Sequence, residues 1–215
     1  MSKLRCQISI SLDGYVAGPG QSREHPLGTR GERLHEWVMP LAAWRRSQGL
    51  PGGDVNASTR VVEESFANLG AGVLGRNMFG PPGGGPWGDD PWMGWWADDP
   101  PYHCPVFVLT HYPREPLEMK GGTTFHFVTD GIESALDQAS AVAGGHDVML
   151  WGGAKAVDQC LAVRRLDELE LHIVPVLLGD GARLFHDLGD AEIGLEQVRV
   201  IEAPGVTHVK YRVTR

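Results

Sequence analysis

Apolar and polar residues alternate from Leu4 to Leu12, placing Ile8, Ile10 and Leu12 on one face, and this period of two predicts a strand that ends at the Asp13-Gly14 turn. Pro19 to Gly28 is polar and turn-rich and reads as a loop. From Glu32 to Gln48 the period changes: Leu34, Trp37, Val38, Leu41 and Trp44 recur at helical spacing, with Pro40 predicting a kink or break. A short helix is expected over Thr59 to Asn68, and a buried strand over Ala71 to Leu74 runs straight into Gly75-Arg76-Asn77. Gly80 to Pro101 keeps no period; it is a long loop rich in Gly, Pro and Asp that carries Trp87, Trp92, Trp95 and Trp96. Strands follow at Val106 to Thr110 and Thr123 to Thr129. A helix comes next, with Asp130 and Glu133 as a capping box, Ile132, Ala135, Leu136 and Ala139 on its core face, and Gly144-Gly145 as its stop. Asp147 to Trp151 reads as a strand, Gly152-Gly153 opens a helix through Ala156, Val157, Cys160 and Leu161, and Leu169, Leu171 and Ile173 alternate on a further strand. Two last strands, Leu195 to Ile201 and Val206 to Val213, flank Pro204-Gly205 as a hairpin.

Strands alternating with helices and finishing with adjacent strands predict an α/β protein. The expected architecture is a three-layer α/β/α arrangement around a mixed, mostly parallel sheet with an antiparallel edge. A length of 215 residues suits one domain over residues 1–215, and no internal repeat or linker interrupts it. With 42% hydrophobic and 21% charged residues, the composition excludes wholesale disorder. The net charge of -8 and the absence of a long basic run argue against nucleic-acid binding, although a few local cations suffice for one anionic cofactor. The chain has no apolar run of membrane-spanning length and no signal-like N-terminus, so a cytoplasmic protein without a membrane partner is expected. Cys6, Cys104 and Cys160 have unrelated spacings that suit neither a disulfide framework nor zinc; free thiols and no metal are expected.

Three strand ends carry the chemical signal, because ligands of open α/β sheets bind beyond the carboxyl ends of strands. At Gly75-Arg76-Asn77, glycine permits close backbone approach and Arg76 can fork onto a phosphate. At Leu109-Thr110-His111 a hydroxyl and an imidazole can share a phosphate, with Arg114 near. At Gly152-Gly153-Ala154-Lys155-Ala156 a pyrophosphate can meet the backbone N–H groups of a helix N-terminus. Neither G-x-G-x-x-G nor G-x-x-x-x-G-K-[ST] occurs, so the standard dinucleotide and P-loop sites are not supported.

Several segments in order along the chain carry a family resemblance. Ser9-Ile10-Ser11-Leu12-Asp13-Gly14-Tyr15-Val16-Ala17 resembles the start of the reductase domain of bifunctional riboflavin-biosynthesis deaminase-reductases. Val73-Leu74-Gly75-Arg76-Asn77-Met78-Phe79 is similar to a segment which that family shares with dihydrofolate reductases. Val108-Leu109-Thr110, Met149-Leu150-Trp151-Gly152-Gly153, and Asp167-Glu168-Leu169 through Asp180-Gly181 resemble further segments of the same family. The resemblance implies a dihydrofolate-reductase-like fold and NADPH as cofactor. Ala17 and Gly18 would lie beside the nicotinamide, Gly75, Arg76 and Asn77 near the phosphates, Arg76 and His111 near the 2′-phosphate, and Gly152 to Ala156 on the pyrophosphate across a Gly-Gly bond that is often cis in the family. The zinc-deaminase signature is absent from the chain, no acid follows Trp37-Val38-Met39-Pro40 as in folate-binding reductases, and Gln7 stands where the riboflavin enzymes tend to show Lys.

The expected activity is NADPH-dependent reduction of a small heteroaromatic, pterin- or pyrimidine-like substrate, with Asp13 or a bound water supplying the proton. Asp13 can equally be a turn residue, and Glu63 and Glu64 are alternative acids. The Trp-rich loop reads as a lid over a flat ring, as a subunit interface in an expected homodimer, or as a segment packed on its own protomer. Two rival readings are an NADP-binding protein without turnover and an oligomeric interaction module.

Overall fold

The computed structural model describes residues 2–89 and 92–214. Its central sheet has nine strands in the order β10-β11-β8-β1-β7-β3-β4-β6-β5. In chain order the strands are β1 (Leu4–Ser11), β2 (Tyr15–Ala17), β3 (Leu69–Gly75), β4 (Pro105–Leu109), β5 (Leu117–Glu118), β6 (Thr124–Val128), β7 (Asp147–Gly152), β8 (Glu168–Val174), β9 (Ala182–Arg183), β10 (Gly194–Ala203) and β11 (Val206–Thr214). The run from β8 to β6 is parallel, and β10, β11 and β5 join antiparallel at the two edges. The small strands β2 and β9 pair apart from the main sheet. No helix among the described residues is long and apolar enough to cross a membrane.

The helices are α1 (Ala42–Ser47), α2 (Ala57–Phe66), α3 (Arg76–Phe79), α4 (Ile132–Val142) and α5 (Ala154–Ala162). α4 and α5 pack on β3, β4 and β7, while α2 packs on α1 and β10. The largest core cluster joins Cys6, Ile10, Val73, Leu150 and Leu169 of the sheet to Leu136, Ala139, Val157 and Leu161 of α4 and α5. The opposite face is unusual. β1 sends Arg5, Gln7 and Ser9 toward α2 and the cleft beside it, and Glu170, His172 and His208 continue this polar stripe across β8 and β11. Arg5 reaches the carbonyls of Glu64 and Ala67 as well as Asp147, and Arg199 bridges Glu64 at 2.7 Å and Glu170 at 3.0 Å. Ion pairs and backbone partners are what permit these charges to be buried.

Several expectations need correction. Residues 32–48 do not form one helix: a 3-10 turn spans Gly31–His35 and α1 begins only after Pro40, whose missing N–H cannot continue a helical ladder. The Asp130/Glu133 capping box is absent, since Gly131 is the N-cap of α4 at φ 90° with no side-chain bond. The capping box sits instead at α2, where the Asn56 side chain accepts from the Ser58 N–H and the Thr59 hydroxyl accepts from the Asn56 N–H. Leu12 is 62% exposed because β1 ends at Ser11 and the chain turns out of the sheet. All three cysteines are buried free thiols.

Candidate active site

Three neighbouring strands, β7, β3 and β4, end side by side. Leu74 is partnered with Gly152 and Gly75 with Leu109. The three segments singled out from sequence therefore converge above the carboxyl ends of the sheet. Gly75 lies against the start of α5: a Cβ there would make ordinary contacts, 3.5 Å from the Gly153 nitrogen and 3.6 Å from the Ala156 Cβ. The Gly152–Gly153 peptide is cis, and Gly153 is the N-cap of α5, with no side chain bonded to the helix end. A cleft of about 1470 Å³ opens over this junction and runs on between the sheet and the Trp-rich segment.

Ala17, Gly75, Arg76, Asn77, Leu109, Thr110, His111, Gly153, Ala154, Lys155 and Ala156 all line the cleft. Gly18 and Gly152 do not. Gly18 is packed on the neighbouring loop, its N–H bonded to the Leu27 carbonyl, and a Cβ there would meet the Thr29 carbonyl oxygen at 2.0 Å. Gly152 is buried at φ 114°, close to Ile8 and Met78. The Thr110 hydroxyl already accepts the Tyr112 N–H at 3.2 Å, while His111 is exposed.

Arg76 is half-buried. Its Nη1 donates to the Gly80 and Pro81 carbonyls and its guanidinium lies 3.8 Å from the Trp87 ring centroid. Arg114 stacks on the same ring at 5.0 Å and on Phe127 at 5.3 Å. Neither arginine has a carboxylate partner among the described residues, and the buried Nε of Arg76 has no partner at all. Burial, and then the adjacent Arg114 charge, push the Arg76 guanidinium down from its ordinary pKa. The two guanidiniums on the Trp87 ring concentrate positive charge beside the end of β3.

Asp13 is a correction. It stands outside the cleft, where its carboxylate accepts the Ser11 hydroxyl at 2.6 Å, the Gly179 N–H at 2.7 Å and the Leu178 N–H at 3.1 Å. The Ser11 hydroxyl first, and then the two amides, hold its pKa down to about 2. A carboxylate so bonded fastens the first turn to residues 178–179 and is no proton donor at neutral pH. Glu63 and Glu64 also fail as acids, since they are tied to arginines on the outer side of α2 and neither lines the cleft.

The titratable groups that do face the inner cleft are histidines, which sequence reasoning missed. His172 lies on β8 directly opposite His208 of β11, their Nδ1 atoms 2.8 Å apart, and His208 Nε2 is 2.9 Å from the Ser58 hydroxyl. Trp37 covers both rings at about 5 Å and donates its indole N–H to Ser9 at 3.2 Å. With Nδ1 taken, His172 has Nε2 left for the cleft. Burial and then the neighbouring His208 hold the His172 pKa well below the usual imidazole value, so the ring is neutral at pH 7. The signal was present as polar residues at every second position of β8, Glu168, Glu170 and His172, a spacing that reads equally well as a solvent-facing edge.

The Trp-rich segment packs on its own chain. Trp87 donates its indole N–H to the Tyr112 carbonyl, Trp92 to Phe79, Trp95 to Met78, and Trp96 to the Tyr102 hydroxyl. Trp95, Trp96 and Tyr102 also form a wall of the cleft, and Trp96 meets Trp44 edge-on at 6.1 Å.

The sheet and the cleft at its strand ends define a dihydrofolate-reductase-like α/β protein. Residues 2–209 match the RibD C-terminal domain, and the chain belongs to that family. A protein from Shewanella sp. PV-4 provisionally assigned to riboflavin biosynthesis is 21% identical with a TM-score of 0.65 over 99% of both chains. The diaminohydroxyphosphoribosylaminopyrimidine deaminase/5-amino-6-(5-phosphoribosylamino)uracil reductase of Thermotoga maritima is 15% identical with a TM-score of 0.59. That match covers 98% of this chain, which spans 56% of the longer protein. Dihydrofolate reductase from Enterococcus faecalis, complexed with NADP(H) and RAB-propyl, is 12% identical with a TM-score of 0.52 over 99% of this chain and 97% of its own. At these identities the likeness speaks for the fold. A comparison with curated proteins finds no match. Family membership supports a reductase-like role.

Proposed function

We propose that the protein is an NADPH-dependent reductase of a small heterocyclic substrate. The observation that carries this reading is the guanidinium of Arg76, which lines the cleft just past β3 without a carboxylate partner among the described residues, next to strand ends that meet the uncapped start of α5. The residues present fit a dinucleotide with an extra phosphate. The first N–H groups of α5 would hold the pyrophosphate, with Lys155 beside them. Nη2 of Arg76 would hold the 2′-phosphate, with the exposed His111, just beyond the end of β4, beside it. Ala17, 5% exposed on the cleft wall, would face the nicotinamide without obstructing it.

When bound, NADPH supplies the hydride. The chain's part is to place the acceptor and settle a proton. Asp158, fully buried in α5, accepts the N–H groups of Phe185, His186 and Asp187 at 2.9 to 3.1 Å and so fixes the cleft rim opposite Ala17. Trp96 and Trp44 meet edge-on along the cleft wall. His172 Nε2 is a hydrogen-bond donor to the acceptor ring when its Nδ1 accepts from His208, whose Nε2 then accepts from the Ser58 hydroxyl. A water reaching this nitrogen would deliver the proton, and Asp13 has no part in the step.

Replacing Arg76 tests the reading. Arg76→Ala is expected to weaken NADPH by on the order of tenfold to a hundredfold, the worth of a charge-assisted bond, while NADH changes little. Equal weakening of both, measured by fluorescence titration, would remove Arg76 from the 2′-phosphate.

A further inference from the structure

The cleft has two halves of opposite chemistry. Over the ends of β7, β3 and β4 it is cationic, with Arg76, Lys155 and the start of α5. Between the polar face of the sheet and the Trp-rich segment it is aromatic. There Trp37, Trp44, Val62, Trp96, Tyr102 and Trp151 form the walls and floor. Tyr102 and Trp151 meet at 4.5 Å between centroids with their planes tilted by 46°, adding aromatic surface to this wall. The cations lining the cleft among the described residues are Arg76, Lys155 and Arg183, and Arg183 lies over Tyr15 where β9 pairs with β2. The cations beneath it are already engaged, Arg5 with Asp147 and Arg199 with Glu64 and Glu170.

Its polar atoms are neutral and lie along one edge. Gln7 donates through Nε2 to Glu170 at 3.2 Å, which leaves its carbonyl oxygen to accept from a ligand. His172 offers Nε2. His35 also lines the cleft, and its buried Nδ1 has no partner. A phosphate dianion brought here would be stripped of water and meet uncharged rings, with the carboxylate of Glu170 behind Gln7. A flat neutral ring would instead keep its faces on indoles and its donor and acceptor edge on His172 and Gln7.

We propose that the aromatic half of the cleft takes an uncharged planar ring ligand, bonded at its edge by His172 and Gln7, and rejects phosphorylated ligands. This rests on the reductase reading in assigning the cationic half to the cofactor. It also separates this chain from what the name of the Thermotoga reductase describes, a phosphoribosylated substrate.

Riboflavin and FMN share one ring system and differ by a single phosphate, and they provide the test. Each is titrated into the full chain held in saturating NADP+, which blocks the cationic half, and flavin fluorescence is followed. Riboflavin is expected to bind at least tenfold more tightly than FMN. FMN binding as tightly as riboflavin, or failure of both to bind, would overturn the proposal. Ser65, on the α2 wall of this half, gives an independent arm: Ser65→Arg is expected to bring FMN within about threefold of riboflavin by supplying the missing cation. An unchanged ratio would show that the ring lies elsewhere. NADP+ binding is read separately by Trp quenching. Its absence would sink the reductase reading while leaving this comparison intact, run then on Arg76→Ala to disable the other half.

Discussion

Two neutral histidines sealed under Trp37 leave a mark on stability. His208 is fully buried, and its burial, then the Arg199 charge, hold its pKa down to about 4; His172 is shifted in the same direction. An unfolded imidazole titrates near 6.5, so between pH 6.5 and about 4 the unfolded chain binds protons that the folded chain refuses. Stability is complete above pH 6.5 and falls as the pH drops through that window, by about 1.4 kcal/mol per pH unit for each histidine. Urea unfolding at a series of pH values should show this slope, and His208→Gln should flatten it. A variant as steep as the parent would mean that His208 is already charged in the fold. At this scale the sequence was least informative. Asp13 has the look of an acid at a strand end, and only the position of the Leu178 and Gly179 amides, remote in sequence, reveals it as a fastener. His172 and His208 are far apart in the chain, and nothing local marks them as a pair.

Among elements, the strand ends were the legible part, since Gly75, Leu109 and Gly152 each close a strand whose pattern is clear by itself, and parallel pairing brings them together. Over residues 32–48 the break at Pro40 was legible as well, but the first stretch is a 3-10 turn over Gly31–His35 and not an α-helix. β1 misleads in a different way. Its alternation is real, but the polar face meets α2 and the cleft instead of water, and partners supplied by α2, β8 and β11 were not visible from β1 itself. Gly72 in β3 shows how tightly one element sets another: the Trp151 ring packs against it, and a Cβ would stand 1.7 Å from that ring. Gly72→Ala should cost about 1–3 kcal/mol by overpacking and tilt the floor of the aromatic half. A urea midpoint equal to that of the parent would mean that the ring has room to move.

For the molecule as a whole, the switch from helical to twofold period and back was enough to predict a mixed, mostly parallel sheet covered on both faces, and the strand order agrees. The cleft was less legible, because half of it is built by a segment without period. Only the hydrogen bonds of four indoles to their own chain show that the described residues of this segment, 80–89 and 92–101, pack as a wall. What the assembled molecule offers is a cationic groove joined to an aromatic pocket, and the central claim is that the groove holds a phosphorylated dinucleotide. Titrating the protein with NADPH and with NADH while following quenching of its Trp fluorescence tests this most directly. Saturable binding of both is expected, with NADPH tighter by tenfold or more because only it carries the 2′-phosphate that Arg76 would hold. Equal affinities, or no binding of either, would contradict it.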